Sequence, residues 1–282
     1  MIALSTGSLY TYGLDRVFAL AADAGFDGLE LMVDHRWDTR HVGYLRRLMD
    51  RHGVPILAVH SPFVLSVPGW PRDEPGRIRQ SIQLAESVGA RVVVAHLPRR
   101  LDRFVLESKT ARLRLLIPLP WPGQRSYRRW LVDELDEFRA STPVTIAIEN
   151  MPAWRFLGTR INTCYWNDIE SIAQFAQLTM DTTHLGTWGI DPCMAYQVWG
   201  ARVAHVHLSN FNGAEHRLLN DGHLRLDYLL ERLGIEGYDG IITLEFNPAS
   251  LQAENGERVR ENLEESLAFC QQHLTAVHSG FV

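Results

Sequence analysis

Six apolar runs in this sequence stop on, or one residue short of, a side chain that can bind a cation or carry a proton: His60, His96, Glu149, Asp181, His207 and Glu245. The densest stretch is Thr179–Leu208, where Asp181 is followed by His184 and, further on, His205 by His207. A single acid or imidazole at a strand end has an ordinary explanation, as a helix N-cap or a hydrogen-bonded core residue. Six in succession are harder to dismiss. Acids and imidazoles turned into one cavity repel or stay unsatisfied unless a cation neutralises them. A mixed carboxylate–imidazole set suits zinc, manganese or iron better than calcium. Of the close pair His205 and His207, we expect only one to face that cavity, with the other packing within the strand or barrel.

These residues need a scaffold that brings strand ends together. Strand-like runs span Ile2–Ser5, Asp27–Met32, Pro55–His60, Arg91–His96, Val144–Glu149, Leu178–Asp181, Val203–Leu208 and Gly240–Glu245. Helical periodicity covers Leu14–Ala24, Val42–His52, Ile78–Val88, Tyr228–Leu233 and Arg258–His273, with glycine stops at Gly25, Gly53 and Gly89. A loop rich in Pro and Gly is expected from Pro62 to Gly76, and a Gly-rich turn followed by a short helix after His184. Strands rich in Val, Ile and Leu, separated by helices, indicate a parallel sheet covered by helices. Eight such units in 282 residues predict an α/β protein with a (β/α)8 TIM barrel. A doubly wound sheet would carry a Gly-rich phosphate turn after its first strand, and Ser5-Thr6-Gly7-Ser8-Leu9 is not that fingerprint.

One region breaks the repeat. Between the fourth and fifth strands, at about 97–140, lies a long Arg/Pro-rich insertion in what we otherwise expect to be one domain over 1–282. It holds Arg99, Arg100, Arg103, Arg112, Arg114, Arg125, Arg128 and Arg129, and its prolines from Pro118 to Pro122 forbid continuous helix. It is either an extended loop with solvated helix faces or a lid whose arginines meet a phosphate or carboxylate.

Composition sets outer limits. Hydrophobic residues make up 46% and charged residues 22%, enough for a sizeable core. A formal net charge of −5 and a single lysine, Lys109, give no general attraction to nucleic acid or anionic membrane. Three widely spaced cysteines suggest neither a disulfide framework nor a Cys-rich zinc site. No signal peptide and no membrane span is apparent, so a soluble, cytoplasmic protein is expected.

The order of the motifs resembles the xylose isomerase-like TIM-barrel superfamily, which includes sugar isomerases, sugar epimerases and endonuclease IV. The resemblance is carried by Phe26-Asp27-Gly28-Leu29-Glu30-Leu31, His60-Ser61-Pro62-Phe63, Ala90–His96, Ile148-Glu149-Asn150, Asp181-Thr182-Thr183-His184, His205–Asn210 and Gly237–Gly240 leading to Leu244-Glu245. By that resemblance, Glu149, Asp181, His207 and Glu245 would hold one divalent metal, zinc or manganese. Glu149 and Glu245 would also transfer protons, with His184 beside a substrate oxygen. The endonuclease branch uses a larger set for two or three zinc ions, which His60, His96, His184 and His216 match. That branch has an Asp two residues before the last of these histidines, where this chain has Ala214. Asp221 and His223 lie nearby in a Gly-rich loop.

Two opposed acids across a small cavity suit a metal-dependent sugar or sugar-phosphate isomerase or epimerase, working by proton transfer through a metal-stabilised enediolate. The expected partner is a small polyol or sugar. Trp37, Trp70, Trp121, Trp154, Trp166 and Trp188 fall in or beside loops where aromatic faces could cover a sugar ring. The alternatives are an endonuclease IV-like zinc phosphodiesterase and a sugar- or metal-binding barrel without turnover.

Overall fold

The computed structural model describes residues 1–64, 66–108, 113–120 and 124–275, with backbone alone between 102 and 118. Its strands are β1 (Ile2–Ser5), β2 (Gly28–Met32), β3 (Ile56–His60), β4 (Val92–His96), β5 (Leu101–Ser108), β6 (Leu113–Pro120), β7 (Thr145–Glu149), β8 (Trp154–Phe156), β9 (Thr159–Ile161), β10 (Leu178–Asp181), β11 (Val203–Leu208) and β12 (Ile241–Leu244). Its α-helices are α1 (Leu14–Ala24), α2 (Val42–His52), α3 (Glu74–Val88), α4 (Arg125–Asp133), α5 (Leu135–Ala140), α6 (Ile169–Ile172), α7 (Thr182–Trp188), α8 (Pro192–Trp199), α9 (Leu226–Ile235) and α10 (Gly256–Thr275).

Eight parallel strands close into a barrel in the order β1-β12-β11-β10-β7-β4-β3-β2. The expected (β/α)8 architecture is therefore the observed one. Alternation along each strand divides the side chains into two sets. Leu29, Leu31, Val93, Ile146, Ile148, Val206, Ile242 and Leu244 belong to the main apolar core, shared with helix residues such as Phe18, Leu48 and Leu263. Full burial of each such side chain is worth about 1.5–3 kcal/mol, so this packing dominates the stability of the barrel. The alternate positions form their own column inside the barrel. Ala3, Ala58, Val92, Ala147 and Ile241 make a separate apolar cluster. Glu30 on β2, Thr179 on β10, His205 on β11 and Thr243 on β12 are all fully buried polar residues.

Several expected boundaries move. The helix expected from Ile78 begins at Glu74, because Asp73 caps it by accepting from Gly76 N and Pro75 sits in the first turn, where its missing N–H costs nothing. The loop after β3 is correspondingly shorter than Pro62–Gly76. A helix rather than a glycine turn follows β10, since the Asp181 side chain caps α7 through His184 N; the turn comes later, at Gly189. In the insertion, β5 and β6 pair as an antiparallel hairpin from Leu101↔Pro120 to Ser108↔Leu113, where periodicity gave no strand signal. The small β8–β9 hairpin is also additional to the sequence reading. Helices α1, α2 and α3 end, as expected, on left-handed Gly25, Gly53 and Gly89. No helix among the described residues is long and apolar enough to cross a membrane.

Candidate metal centre

Glu149 closes β7, Asp181 closes β10, His207 lies in β11 and Glu245 follows β12. The ladder sets their heights: Asp181 is in register with His207, and Glu149 with His96 on β4. The four side chains converge. His207 Nδ1 is 3.0 Å from Glu149 Oε1, 3.0 Å from Glu245 Oε2 and 3.7 Å from Asp181 Oδ2. One ligand-type atom from each of the four lies within 4.8 Å of the others. Asp181 Oδ1 accepts from His184 N at 2.8 Å, while Oδ2 is buried without a hydrogen-bond partner. Glu149 Oε2 is also buried without a hydrogen bond, although His96 Nε2 is 3.1 Å away at an angle unsuited to one. Orphaned carboxylate oxygens in a dry site are costly. A divalent cation would satisfy both, so the donor set fits a zinc- or manganese-type ion.

The remaining histidines surround this set. His60 Nε2 is 3.6 Å from Glu149 Oε2, and its Nδ1 lies 3.0 Å from the Ser61 carbonyl oxygen. His184 Nδ1 is 2.8 Å from the Asn150 carbonyl oxygen, which assigns the proton to Nδ1. His216, at φ 56°, hangs on a bond from its backbone N–H to Thr183 Oγ1 at 3.1 Å and faces the His184 ring at 5.6 Å between centroids. Three further groupings among the described residues have metal-type spacing, His60–Glu149–His207, Asp181–His184–His216 and Glu30–His205–His207. Ala214 is exposed and offers no ligand. Asp221 is engaged by Arg217 and Asn212, and His223 is exposed.

Two corrections concern the barrel interior. His205 and His207 are two residues apart and therefore share a face, so both turn inward rather than one. Their ring centroids are 5.0 Å apart. Both reach Glu30, a residue the sequence reading left without a role: Glu30 Oε2 is 2.6 Å from His205 Nε2 and 3.0 Å from His207 Nε2. With Nε2 tied to Glu30, His207 presents Nδ1 to the three carboxylates. An acid in the middle of the apolar run Gly28–Met32 was the available signal.

Charges in the cluster hold one another. Burial pushes the Glu149 carboxyl up, but the attraction and hydrogen bond of His207, with the His60 and His96 rings close by, overcome it, leaving Glu149 well below the ordinary range. Glu245 and Glu30 are lowered too, burial again being outweighed by His207. Burial depresses His207, yet Glu30, Glu245 and Glu149 raise it well above its ordinary value. His184 is raised, with Asp181 and Glu149 prevailing over burial. His96 and His205 are lowered because burial prevails.

Above the cluster opens a cavity of about 420 Å³, lined at its inner end by His60, His96, Glu149, His184, His216 and Glu245. Its aromatic lining is Tyr10, Phe63, Tyr127 and Phe246, and none of the tryptophans described contributes. Trp188 donates to the Met151 carbonyl oxygen instead, and Trp166 packs on Phe175. Trp121 lies outside the described residues. Of the insertion's arginines described with side chains, Arg99 lines the cavity. Arg100 binds the Asn162 carbonyl oxygen, Arg128 stacks on Tyr165, and Arg125 and Arg129 are exposed. The side chains of Arg103, Arg112 and Arg114 are outside the described residues.

Fold and strand-end chemistry define a parallel barrel that gathers imidazoles and carboxylates at one mouth. The chain belongs to the xylose isomerase-like TIM-barrel family, whose model matches residues 18–273. An uncharacterized protein of Mycobacterium tuberculosis is 29% identical over 97% of this chain and 97% of its own length. One from Methanocaldococcus jannaschii is 27% identical over 86% of this chain and 82% of its own. Among solved structures, a D-tagatose 3-epimerase-like protein is 21% identical with a TM-score of 0.65, covering 98% of each chain. An L-ribulose 3-epimerase is 17% identical with a TM-score of 0.68, covering 98% of this chain and 95% of its own. A family 2 AP endonuclease from Brucella melitensis is 14% identical with a TM-score of 0.63, covering 88% and 93%. At these identities the structural likeness shows the fold alone.

Proposed function

We propose that the protein is a divalent-metal-dependent isomerase or epimerase of a sugar or sugar derivative, with Glu149, Asp181, His207 and Glu245 as its metal ligands. One observation carries the reading. Glu149 and Glu245 come from strands separated by two others in the barrel, yet both carboxylates lie 3.0 Å from the same nitrogen of His207 and both line the cavity. A bound divalent ion would supply Lewis acidity, drawing electron density from a substrate carbonyl and acidifying the adjoining C–H. The chain's own groups do the proton work. Both glutamates are held ionised, so either can accept a proton from the carbon beside the carbonyl. The C–H electron pair passes into the carbonyl as the proton reaches the carboxylate. The other carboxylate, after taking a proton from solvent, delivers it to the opposite face of that carbon as the electron pair returns from oxygen, which gives the epimer. The first carboxyl releases its proton to solvent. Protonation at the former carbonyl carbon, with a hydroxyl proton lost in exchange, interconverts aldose and ketose. His184, its Nδ1–H given to the Asn150 carbonyl oxygen, lines the cavity beside a substrate oxygen.

A second reading rests on two of the extra groupings, His60–Glu149–His207 and Asp181–His184–His216. Two or three zinc ions there would suit phosphodiester hydrolysis. Ala214 leaves that larger set one carboxylate short. The deciding experiment is deuterium uptake from solvent into a panel of ketoses, run beside cleavage of an abasic-site duplex. Exchange lost in Glu149→Gln and Glu245→Gln supports the isomerase. Duplex nicking with no exchange into any sugar replaces it with the hydrolase.

A further inference from the structure

Behind the proposed metal ligands, the barrel interior holds an ionisable group that ligation does not account for. Glu30 leaves β2 and reaches β11 across the two strands between them, β1 and β12. Its ladder partners Ser5 and Ala58 are small, which leaves the side chain room to cross. On the far side Glu30 Oε2 lies 2.6 Å from His205 Nε2 and 3.0 Å from His207 Nε2. A carboxylate oxygen can accept from two N–H groups at once, so both rings are assigned a hydrogen on Nε2.

The three groups differ in what else holds them. Among the described residues, the Glu30 carboxylate has hydrogen bonds to these two imidazoles and to nothing else, its Oε1 being buried without a partner. His207 cannot serve as the anchor, because it is the ring whose direction Glu30 would set. His205 can. It is fully buried, sits in the ladder opposite Thr179 on β10 and Ile241 on β12, and has Thr243 Oγ1 3.2 Å from its Nε2. Its ring stands at 85° to that of His207 with centroids 5.0 Å apart, so both Nε2 atoms meet one oxygen without the rings stacking.

An ionic contact stands here where apolar packing would serve. Ala3, Ala58, Val92, Ala147 and Ile241 fill another part of the same interior without any charge. Burying a carboxylate is costly, and a buried ion pair is often no more stabilising than apolar residues of similar volume. What the His–Glu–His contact adds is direction. It fixes which nitrogen of His207 carries the hydrogen and where the other nitrogen points.

Resting on the four-ligand reading of the metal centre but on no step of the reaction, we propose that His205 is a positioning residue. It anchors the Glu30 carboxylate, which in turn holds His207 with Nδ1 toward Glu149, Asp181 and Glu245.

The test uses His205→Leu, which removes the N–H, and His205→Gln, whose amide nitrogen reaches about as far as Nε2 and keeps a donor for Glu30. Zinc affinity is read by competition with a chromogenic chelator. The His207 ring is read by proton–nitrogen NMR of isotope-labelled histidine, in metal-free and zinc-loaded protein. In wild type, the Nε2–H protons of His205 and His207 should both be resolved and protected from exchange with water. His205→Leu should weaken zinc binding about tenfold, the low end for a group that acts on a ligand from outside the coordination sphere. It should also lose or shift the protected His207 Nε2–H. His205→Gln should restore both, which a space-filling role does not predict. Affinity and His207 signal unchanged in His205→Leu overturn the proposal, as does equal loss in the leucine and glutamine variants. Two zinc ions per chain in wild type, the second absent from His205→Leu, also overturn it, because Glu30, His205 and His207 have metal-type spacing and would then be ligands themselves. If His205→Leu does not fold, His205→Asn, too short to reach Glu30, takes its place with the same expectations. If wild type binds no zinc, the four-ligand reading fails and the metal-free spectra decide the role of His205. A protected His207 Nε2–H that depends on His205 upholds its hold on the ring, and one indifferent to His205 removes it.

Discussion

At the inner end of the cavity, Glu149, Asp181 and His207 leave from barrel strands and Glu245 from the residue after one. At the outer end, Arg72 and Arg99 leave from loops held by side-chain and backbone bonds to distant segments. The inner groups are mutually compensating, three carboxylates around an imidazole that Glu30 holds from behind. The outer groups are guanidinium side chains carried by loops. On the proposed function, strand register fixes atoms to the tolerance that proton transfer and metal binding demand, whereas loops line the approach to them.

Breaking the inner end should have the largest effect. Glu149→Gln and Glu245→Gln keep shape while removing a proton acceptor, and each should lower solvent-deuterium exchange by about 10²–10⁴-fold. His60→Ala, by contrast, should be tolerated for isomerisation, since His60 lies beside the set, 3.6 Å from Glu149 Oε2 and stacked on His207, rather than within it. Equal losses in all three variants would dissolve the distinction between proton carriers and neighbours.

Next in size is the group behind the ligands. Glu30→Gln should weaken zinc or manganese affinity about 10–100-fold, measured by competition with a chromogenic chelator, because His207 loses the partner that fixes its tautomer. An unchanged affinity would reduce Glu30 to packing.

The pH response of the metal-free protein sharpens the same point. His207 is raised from 6.5, so its stabilising contribution is complete below that value and is lost as pH climbs through its folded pKa. Glu149 is lowered from 4.5, so its contribution is present above that value and is lost as pH falls through its folded pKa. The pair therefore supports the fold most between pH 4.5 and 6.5. The Tm gap between chelator-treated wild type and His207→Gln should narrow as pH rises. A gap that widens contradicts the charge assignment.

The smallest effect belongs to the scaffold alone. Asp73→Ala removes the N-cap of α3 and should cost about 1 kcal/mol in denaturant unfolding. Deuterium exchange into neutral sugars should change far less than in the glutamate variants.

The barrel was legible because its strands read as apolar runs between helices, and the cluster of strand-end acids and imidazoles because each run stops at a chemical residue. Glu30 was obscured by its place inside such a run, where only closure of the barrel shows that it meets His205 and His207 from the far side. His205 and His207 both turn inward, against the expectation of one, because alternation puts residues two apart on the same face of a strand. The β5–β6 hairpin escaped because Pro118 and Pro120 disguise a strand in which antiparallel pairing tolerates them. Arg72 and Arg99 could not be placed at one opening from sequence, since their meeting depends on the loop bonds of Arg77 and the Arg99–Cys164 bridge.

The most direct test is metal content per chain after loading with zinc or manganese and removing excess, in wild type and in Asp181→Asn and His207→Gln. One tightly held ion in the wild type, lost from both variants while their folded circular dichroism persists, is the predicted result. An ion retained at full stoichiometry without Asp181 or His207, or no ion in the wild type at all, would contradict the four-ligand centre.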